Sequence, residues 1–347
     1  MVEKAQKPVI IAGGGVIQTK SQRELIKVAE LLKIPVVTAF RRFTAFPNSH
    51  PNYIGGLGMG APSYLTNYIK ECDLVLALGT RFSQPTTNNY TLLNQNCSLI
   101  HVDVSFDTIG KIYTPDLAIV SNVKEFLKML LDTANANENK ESKNKLLNLK
   151  NKYNDFSKLK KNYTEEYANM DGVMYDLSNN LPENSIITND AGNFFTWLSR
   201  YFQFERHDSY VGPTAGAMGY GLPSAIGTKI AHPKRTVVSM SGDGGFMMTI
   251  NELDTAIRYD IKTLSIVINN SLLGTIKGHQ ETNFPNREVG TKLSDINFAQ
   301  IANVMGAYGE RVTSNKEFLP ALKRSLNSNK PSVLDVVTDP SILSANK

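Results

Sequence analysis

Short apolar runs alternate with helical stretches along most of the chain, and this alternation is typical of parallel strands joined by helices. In the first half, the runs that predict strands lie at 8–16, 34–40, 73–80 and 98–105. In the second half, they lie at 184–193, 235–245, 262–271 and 331–340. The pattern therefore predicts an α/β fold with two open parallel-sheet, three-layer domains.

A change in composition separates the two halves. Residues 134–168 are rich in Asn and Lys, which is typical of a linker. Part of this stretch has apolar residues on one helical stripe, namely Leu146, Leu149, Tyr153, Phe156 and Tyr163. We therefore expect an exposed connection followed by a helix that lies on the protein. The domains are predicted at 1–133 and 169–347, with the linker and helix at 134–168.

Length, composition and charge exclude several classes of protein. The 347 residues, 41% of them hydrophobic, suit two soluble domains of ordinary size. No apolar run approaches the roughly 18–20 residues of a membrane span or forms a secretory signal, so we expect a cytoplasmic protein without a membrane partner. The net charge of +5 lies largely in one Lys-rich stretch, which argues against nucleic acid as a partner.

The two cysteines, Cys72 and Cys97, share no CxxC spacing. Neither a zinc site nor a disulfide framework is therefore indicated. We expect both residues to be buried thiols.

Two predicted strands of the second half end in polar residues. Asp243 lies in a Gly-Asp-Gly turn after one strand, and Asn269 and Asn270 follow the next strand along the chain. The helical pattern between them predicts a crossover connection, which would make the two strands neighbours. Because ligands of open parallel sheets bind at the carboxyl ends of the strands, we expect these residues to form one site.

The residue types at this site suit Mg²⁺ beside a diphosphate. The turn contains three glycines, Gly242, Gly244 and Gly245. Because glycine has no side chain, the backbone N–H groups there are free to face an anion. A carboxylate and a carboxamide are hard oxygen ligands, which Mg²⁺ prefers. The expected octahedron contains Asp243, the Asn270 amide oxygen, the Leu272 carbonyl, two diphosphate oxygens and one water. Alone, a Gly-Asp-Gly turn or an Asn-Asn pair is more often a plain turn or loop.

Residues 241–274 resemble the thiamine diphosphate signature, GDG followed by NN, of acetolactate synthase, pyruvate decarboxylase and benzoylformate decarboxylase. Residues 213–227 and 189–198 resemble two further segments of that family. The resemblance implies an acetolactate synthase-like enzyme that uses thiamine diphosphate and Mg²⁺. Its activity would be decarboxylation, carboligation or both, on a small 2-oxo acid, with the cofactor as electron sink.

The resemblance also implies roles for residues outside the Gly-Asp-Gly turn. Gly192 and Asn193 would touch the diphosphate, and the Gly216 carbonyl would accept a hydrogen bond from the pyrimidine amino group. Met218 would be the apolar wedge that bends the cofactor. Without the flanking motif, Met218 would be taken for a core methionine.

Residues 1–133 resemble the family's central domain, which holds flavin in acetolactate synthases and an adenine nucleotide or nothing in some relatives. The Ala-Gly-Gly-Gly segment at 12–15 follows a strand, and it suits either a nucleotide-phosphate turn or close packing at a strand end. The segment 81–89 replaces the acidic flavin-associated segment of those synthases, which makes FAD doubtful. Because the central domain of some relatives holds a nucleotide, an alternative function is a non-catalytic module that binds flavin or an adenine nucleotide. A further alternative is an inactive fragment.

The segment after the Asn-Asn pair differs from that of acetolactate synthases. Those enzymes have Gln-Trp where this chain has Gly278 and His279, and Trp197 is its only tryptophan. Because that Trp helps to select the acceptor, the substrate is not fixed by the resemblance. His279 is the candidate catalytic residue, a proton shuttle on a loop over the cofactor, although it also suits an ordinary surface loop.

Family members with this layout carry an N-terminal pyrimidine-binding domain, whose glutamate activates the cofactor. This chain begins where the central domain begins. We therefore expect a fragment, the product of a split gene, or one subunit of a two-chain enzyme, inactive when isolated. The expected partners are further copies, as a dimer or tetramer, and a pyrimidine-binding domain.

Overall fold

The computed structural model describes residues 1–137 and 140–345. It consists of two compact units, each built around a six-stranded parallel sheet. Unit 1 is Met1–Lys158 with Gln203–His207, and unit 2 is Leu159–Phe202 with Asp208–Lys347. Within the described residues, no helix has both the length and the apolar character that crossing a membrane requires.

Unit 1 has a doubly wound α/β arrangement. Its strands are β1 (Pro8–Ala12), β2 (Val36–Thr38), β3 (Tyr53–Gly56), β4 (Leu74–Leu78), β5 (Ser98–Asp103) and β6 (Leu117–Val120). Its helices are α1 (Gly14–Gln18), α2 (Gln22–Leu32), α3 (Ser63–Lys70), α4 (Val123–Thr133) and α5 (Lys140–Phe156). The strand order β3-β2-β1-β4-β5-β6 reverses direction between β1 and β4.

Both faces of the unit 1 sheet are buried. Ile10 and Ala12 of β1 pack in one apolar cluster with α2 and α4, whereas Val9 and Ile11 pack in a second cluster with α3. Because successive side chains of a strand point to opposite faces, a strand buried on both faces needs an apolar residue at every position. This is why the interior strands are continuous apolar runs in the sequence.

The two cysteines lie in unit 1 as free thiols. Their Sγ atoms are 3.3 Å apart, close enough for contact without a covalent bond. Cys72 is buried, as expected, but Cys97 is only half-buried, so that part of the prediction is wrong. Cys97 lies directly before β5, outside the strand itself.

Unit 2 repeats the parallel-sheet architecture. Its strands are β7 (Ile186–Asn189), β8 (Tyr210–Val211), β9 (Val237–Gly242), β10 (Leu264–Asn269), β11 (Tyr308–Val312) and β12 (Ser332–Val337), in the order β11-β12-β10-β9-β7-β8. Its helices are α6 (Met170–Asn180), α7 (Phe195–Tyr201), α8 (Gly221–Ala231), α9 (Asp243–Thr249), α10 (Glu252–Arg258), α11 (Gly274–Asn283), α12 (Phe298–Met305) and α13 (Asn315–Asn327). The two sheets confirm the predicted α/β fold class.

A helix is present in the stretch between the two sheets, as predicted. Leu149 and Tyr153 of α5 are buried, which accounts for the apolar stripe. Tyr163 does not belong to this stripe, because α5 ends at Phe156. Its hydroxyl instead donates a 2.6 Å hydrogen bond to Asp176 Oδ1 on α6, so the predicted stripe extended about two helical turns beyond the end of α5.

Candidate functional site

The candidate site lies in unit 2, at the carboxyl ends of β9 and β10. These strands are parallel neighbours with Ile268 paired to Gly242, which confirms the predicted adjacency. Asp243 begins α9 directly after β9, and Asn270 follows the last residue of β10. Helices α9 and α10 form the predicted crossover between the strands. Asp243 and Asn270, which are 27 positions apart in the sequence, therefore lie together at the carboxyl ends of neighbouring strands.

Asp243 is a buried carboxylate with an unused oxygen. It is 5% exposed, and Oδ1 accepts a 2.8 Å hydrogen bond from the Gly244 N–H. Oδ2 has no hydrogen-bond partner among the described residues. Burial raises the pKa of Asp243, and the backbone amides of Gly244, Ser271, Leu272 and Asn270, which face the carboxylate, act in the opposite direction.

An orphaned carboxylate oxygen at a buried position calls for an explanation, because such groups normally have partners. A bound cation would satisfy Asp243 Oδ2 and offset the desolvation of its charge. No group of three or more His, Cys, Asp or Glu in the described chain is placed to hold a metal. A metal ion here would therefore depend on amide and carbonyl oxygens in addition to Asp243, a donor set that suits Mg²⁺.

The turn after β10 has a constrained backbone. Asn270 Oδ1 accepts a 3.2 Å hydrogen bond from the Leu272 N–H, and Ser271 between them adopts a left-handed φ of 53°. Asn270 and Leu272 are both buried. An amide oxygen has two acceptor sites, so this turn leaves Asn270 with capacity for a metal ion.

Close packing constrains two of the three glycines around Asp243, Gly244 moderately and Gly245 strongly. A Cβ added at Gly244 would lie 3.0 Å from Leu273 Cδ2 and 3.4 Å from the Met218 methyl group. A Cβ at Gly245 would lie 2.4 Å from Asp190 Oδ2, whereas one at Gly242 would make ordinary contacts. The small size of Gly244 and Gly245 thus allows the side chains of Leu273, Met218 and Asp190 to pack against α9. The glycines also leave the backbone N–H groups accessible.

Two further loops contain the other sequence-predicted residues. The Ala191 N–H donates a 3.0 Å hydrogen bond to the Ala217 carbonyl, which joins the loop after β7 to the loop that carries Met218. Met218 is 37% exposed and contacts the Gly244 position. Gly216 has a left-handed φ of 71° and open space around it.

The loop after β7 also contacts the start of α11. A Cβ at Gly274 would lie 2.7 Å from Asn193 Oδ1, and Asn193 Nδ2 donates a 3.3 Å hydrogen bond to the Leu343 carbonyl. A Cβ at Gly192 would lie 2.4 Å from the Phe194 ring, so this position also requires glycine. Gly192 and Asn193 therefore lie beside the segment that continues from Asn270.

His279 lies on α11, not on a loop, and this part of the prediction is wrong. The helix extends from Gly274 to Asn283, and the side chains of Thr282 and Asn283 donate hydrogen bonds to the carbonyls of Gly278 and His279. The His279 side chain is exposed to solvent. Its part in proton transfer stays a prediction.

Two buried carboxylates near the site, Asp190 and Asp335, were not singled out from the sequence, and Asn269 was named there only as part of the Asn-Asn pair. Asp190 Oδ1 accepts a hydrogen bond from the Gly221 N–H at the start of α8, and burial raises the pKa of Asp190. Asn269 Nδ2 donates to Asp335 Oδ1 at 2.9 Å. Asp335 could have been found from the sequence, because it is a charged residue within the apolar run of β12. Charged residues are rarely fully buried without partners, so its position indicates a buried polar contact.

In unit 1, Gly13 and Gly15 pack closely against the loop after β4. A Cβ at Gly13 would lie 2.2 Å from the Gly79 carbonyl oxygen, and one at Gly15 would lie 2.7 Å from Gly79 Cα. Gly79 itself has a left-handed φ of 59°. Close packing thus accounts for Gly13 and Gly15 without a nucleotide.

Sequence comparisons match both units to families of known proteins. Residues 1–130 match the family "Thiamine pyrophosphate enzyme, central domain", and residues 190–336 match "Thiamine pyrophosphate enzyme, C-terminal TPP binding domain". The probable acetolactate synthase large subunit of Methanocaldococcus jannaschii is 32% identical over 98% of this chain and 59% of its own length. The acetolactate synthase large subunit of Cyanidium caldarium is 30% identical over 97% and 58%, respectively. The chain thus spans about three-fifths of the length of these relatives.

Proposed function

Because the chain belongs to the thiamine pyrophosphate enzyme family, with the central and C-terminal domains of its acetolactate synthase-like members, we propose that unit 2 binds thiamine diphosphate through Mg²⁺. The reaction that we propose is decarboxylation, carboligation or both, on a small 2-oxo acid. The observation that carries the proposal is the orphaned Asp243 Oδ2 beside the Asn270 turn, at the carboxyl ends of neighbouring strands. Ligands of parallel sheets bind at this edge.

The proposed metal ligands are Asp243, the Asn270 amide oxygen and the Leu272 carbonyl. Their role is to hold the cation against the diphosphate, and they take no part in proton transfer. Glycines at 242, 244 and 245 allow the diphosphate oxygens to approach the backbone, because no Cβ intervenes. Gly192 and Asn193 are proposed to touch the diphosphate from the neighbouring loop.

Orientation of the cofactor is assigned to the loop that carries Gly216 and Met218. We propose that the Met218 side chain supports the bend between the two rings and that the Gly216 carbonyl accepts from the aminopyrimidine. When bound, thiamine diphosphate supplies the carbon nucleophile and the electron sink. The imidazole of His279 is proposed to carry a proton to or from the substrate.

We further propose that the pyrimidine ring is held by a domain other than the two units described above. Support comes from the acetolactate synthase relatives, of which this chain spans about three-fifths, and from exposed apolar side chains near the loop at Gly219. Met218, Met247 and Met248 are all exposed, and a Cβ at Gly219 would lie 3.3 Å from Met248 Cβ. Such side chains suit contact with another domain or with a second copy of the chain.

Calorimetric titration of the chain with thiamine diphosphate in the presence of Mg²⁺ tests the proposed site. Asp243→Ala removes a metal ligand and should weaken binding roughly 100-fold or more, since supporting residues alone contribute roughly 10- to 100-fold. The matched control is Asp254→Ala, an exposed carboxylate on α10 that pairs with Arg258. Equal affinities of wild type and Asp243→Ala would exclude this metal site.

A further inference from the structure

Asn269, the last residue of β10, and Asn270, which follows it, make different contacts. Asn269 is 1% exposed, and its Nδ2 donates hydrogen bonds of 2.9 Å to both Asp335 Oδ1 and the Ile296 carbonyl. Its Oδ1 accepts a 3.3 Å bond from the Ser271 N–H. Both amide hydrogens of Asn269 are thus used within the protein, whereas Asn270 belongs to the turn that faces Asp243.

Asp335 lies in the middle of β12 and is 0% exposed. Oδ1 accepts from Asn269, and Oδ2 accepts from the Phe298 N–H and pairs with Arg311 Nη1, each at 3.2 Å. Burial raises the pKa of Asp335, and Asn269, Arg311 and Phe298 act in the opposite direction. A buried carboxylate keeps its charge only with such partners, so its geometry is closely constrained.

These contacts connect Asp335 to the turn that follows β10. Asp335 fixes the Asn269 amide, and Asn269 Oδ1 holds the N–H of Ser271, the residue with left-handed φ. The Asn269 carbonyl also accepts a 2.9 Å bond from the Thr338 N–H beyond β12. The orientation of residues 270–272 therefore depends on the attachment of Asn269 to β12.

We propose that Asp335 is a positioning residue for the metal site, and that it acts through Asn269 on the turn at 270–272. This inference rests on the function proposed above, because it assigns a role in metal affinity to a residue that does not itself touch the metal. A purely structural Asp335 would instead stabilise the fold through Arg311 and Phe298 without altering Mg²⁺ affinity.

The test is a calorimetric titration of Mg²⁺ into the full chain at a fixed concentration of thiamine diphosphate. Asp335→Asn keeps the side-chain shape but removes the charge of the acceptor that faces Asn269 and places an NH₂ group against one of the donors, so the hold on the Asn269 amide should weaken. We expect Mg²⁺ affinity to fall roughly 10- to 100-fold, as for other residues that orient metal ligands. Urea unfolding measures the stability of each variant.

Asp176→Asn is the matched control. Asp176 is a buried carboxylate of the same unit, on α6, and its Oδ1 accepts from Tyr163. Its replacement should lower stability without changing Mg²⁺ affinity. An equal loss of Mg²⁺ affinity in both variants would show that general destabilisation is responsible and would overturn the proposal.

A double-mutant cycle with Asn269→Ala tests the route of the effect. If Asp335 acts through Asn269, the double variant should lose little more Mg²⁺ affinity than Asn269→Ala alone, because coupled residues are not additive. Additive losses would overturn this route. Should Asp335→Asn fail to fold, Asn269→Ala alone decides, and unchanged Mg²⁺ affinity in that variant would overturn the proposal.

Different results would overturn the proposed function and the role of Asp335. A wild-type chain that binds no thiamine diphosphate with Mg²⁺ would remove both the proposed function and the role of Asp335. Loss of binding in Asp243→Ala with unchanged Mg²⁺ affinity in Asp335→Asn would remove only the role of Asp335.

Discussion

Gly245 has no room for a side chain, and replacing it tests why the turn at the site contains glycine. In Gly245→Ala the new Cβ would lie 2.4 Å from Asp190 Oδ2, and Asp190 is fully buried and cannot withdraw freely. We expect the free energy of unfolding to fall by about 1–3 kcal/mol, as for other overpacked sites. Urea unfolding followed by the fluorescence of Trp197, the only tryptophan, reports on unit 2.

Gly227→Ala is the control for this prediction. Gly227 lies in α8 with open space around it, so alanine should stabilise the helix by about 0.5–1 kcal/mol. Equal effects of the two substitutions would mean that contact with Asp190 does not determine the residue at position 245.

At the residue scale, the sequence predicted the parts of the site that follow directly from strand ends. Asp243 and Asn270 could be brought together because each follows an apolar run and a crossover helix joins the runs. The contact of Asn269 with Asp335 could not be predicted, because it joins residues 66 positions apart and depends on β12 lying beside β10. Local pattern contains no information on strand order beyond consecutive neighbours.

At the scale of elements, the eight predicted strands are the eight interior strands of the two sheets. The four strands that were not predicted, β3, β6, β8 and β11, are the four edge strands. Edge strands lack one neighbour and need fewer apolar residues: β6 is largely exposed, and β11 contains Glu310 and Arg311. The hydrophobic pattern therefore predicted only those strands that are paired with a neighbouring strand on each side.

Helix α5 contains a buried lysine that makes the stability of unit 1 depend on pH. Lys150 Nζ donates a 2.9 Å hydrogen bond to the Asn48 carbonyl and lies over the Tyr153 ring. Burial lowers the pKa of Lys150 to about 8, against the opposing effect of Glu205. Above that pH the unfolded chain still binds a proton that the folded chain has released, so stability from this residue rises with pH.

We expect the wild type to gain about 1–2 kcal/mol of unfolding free energy relative to Lys150→Met between pH 7 and about pH 9.5, after allowance for partial solvation. Urea unfolding followed by far-UV circular dichroism at several pH values measures the difference. The exposed Lys152 of the same helix provides the control Lys152→Met, which should show no such trend. Parallel pH profiles for wild type and Lys150→Met would contradict a lowered lysine pKa.

At the scale of the whole molecule, each unit has its own sheet and apolar core, so folding does not depend on completing the site. The proposed catalysis has a different requirement. The described residues of unit 2 include the proposed metal and diphosphate ligands, whereas the space around Gly216 and the exposed Met218 leave one side of the site uncovered within that unit. Folding and catalysis should therefore be separable by experiment.

The chain alone should release carbon dioxide from pyruvate or another small 2-oxo acid slowly, even with thiamine diphosphate and Mg²⁺ present. Addition of a pyrimidine-binding domain, as a neighbouring polypeptide or as a fusion from an acetolactate synthase relative, should raise turnover by roughly 100-fold or more, the scale of one positioned acid-base group. The measurement is carbon dioxide release by the chain alone, by the added domain alone and by the two together.

Two variants assign the gain to specific groups. Changing the activating glutamate of the added domain to Gln should abolish most of the gain, because the cofactor then lacks its partner on the pyrimidine ring.

His279→Ala should lower turnover by roughly 10²-fold while leaving cofactor affinity intact, since proton transfer and binding are separate contributions. A loss below about threefold would make His279 an ordinary surface residue of α11. Rapid turnover by the chain alone would show that its own residues activate the cofactor, and the proposed division of labour would be wrong.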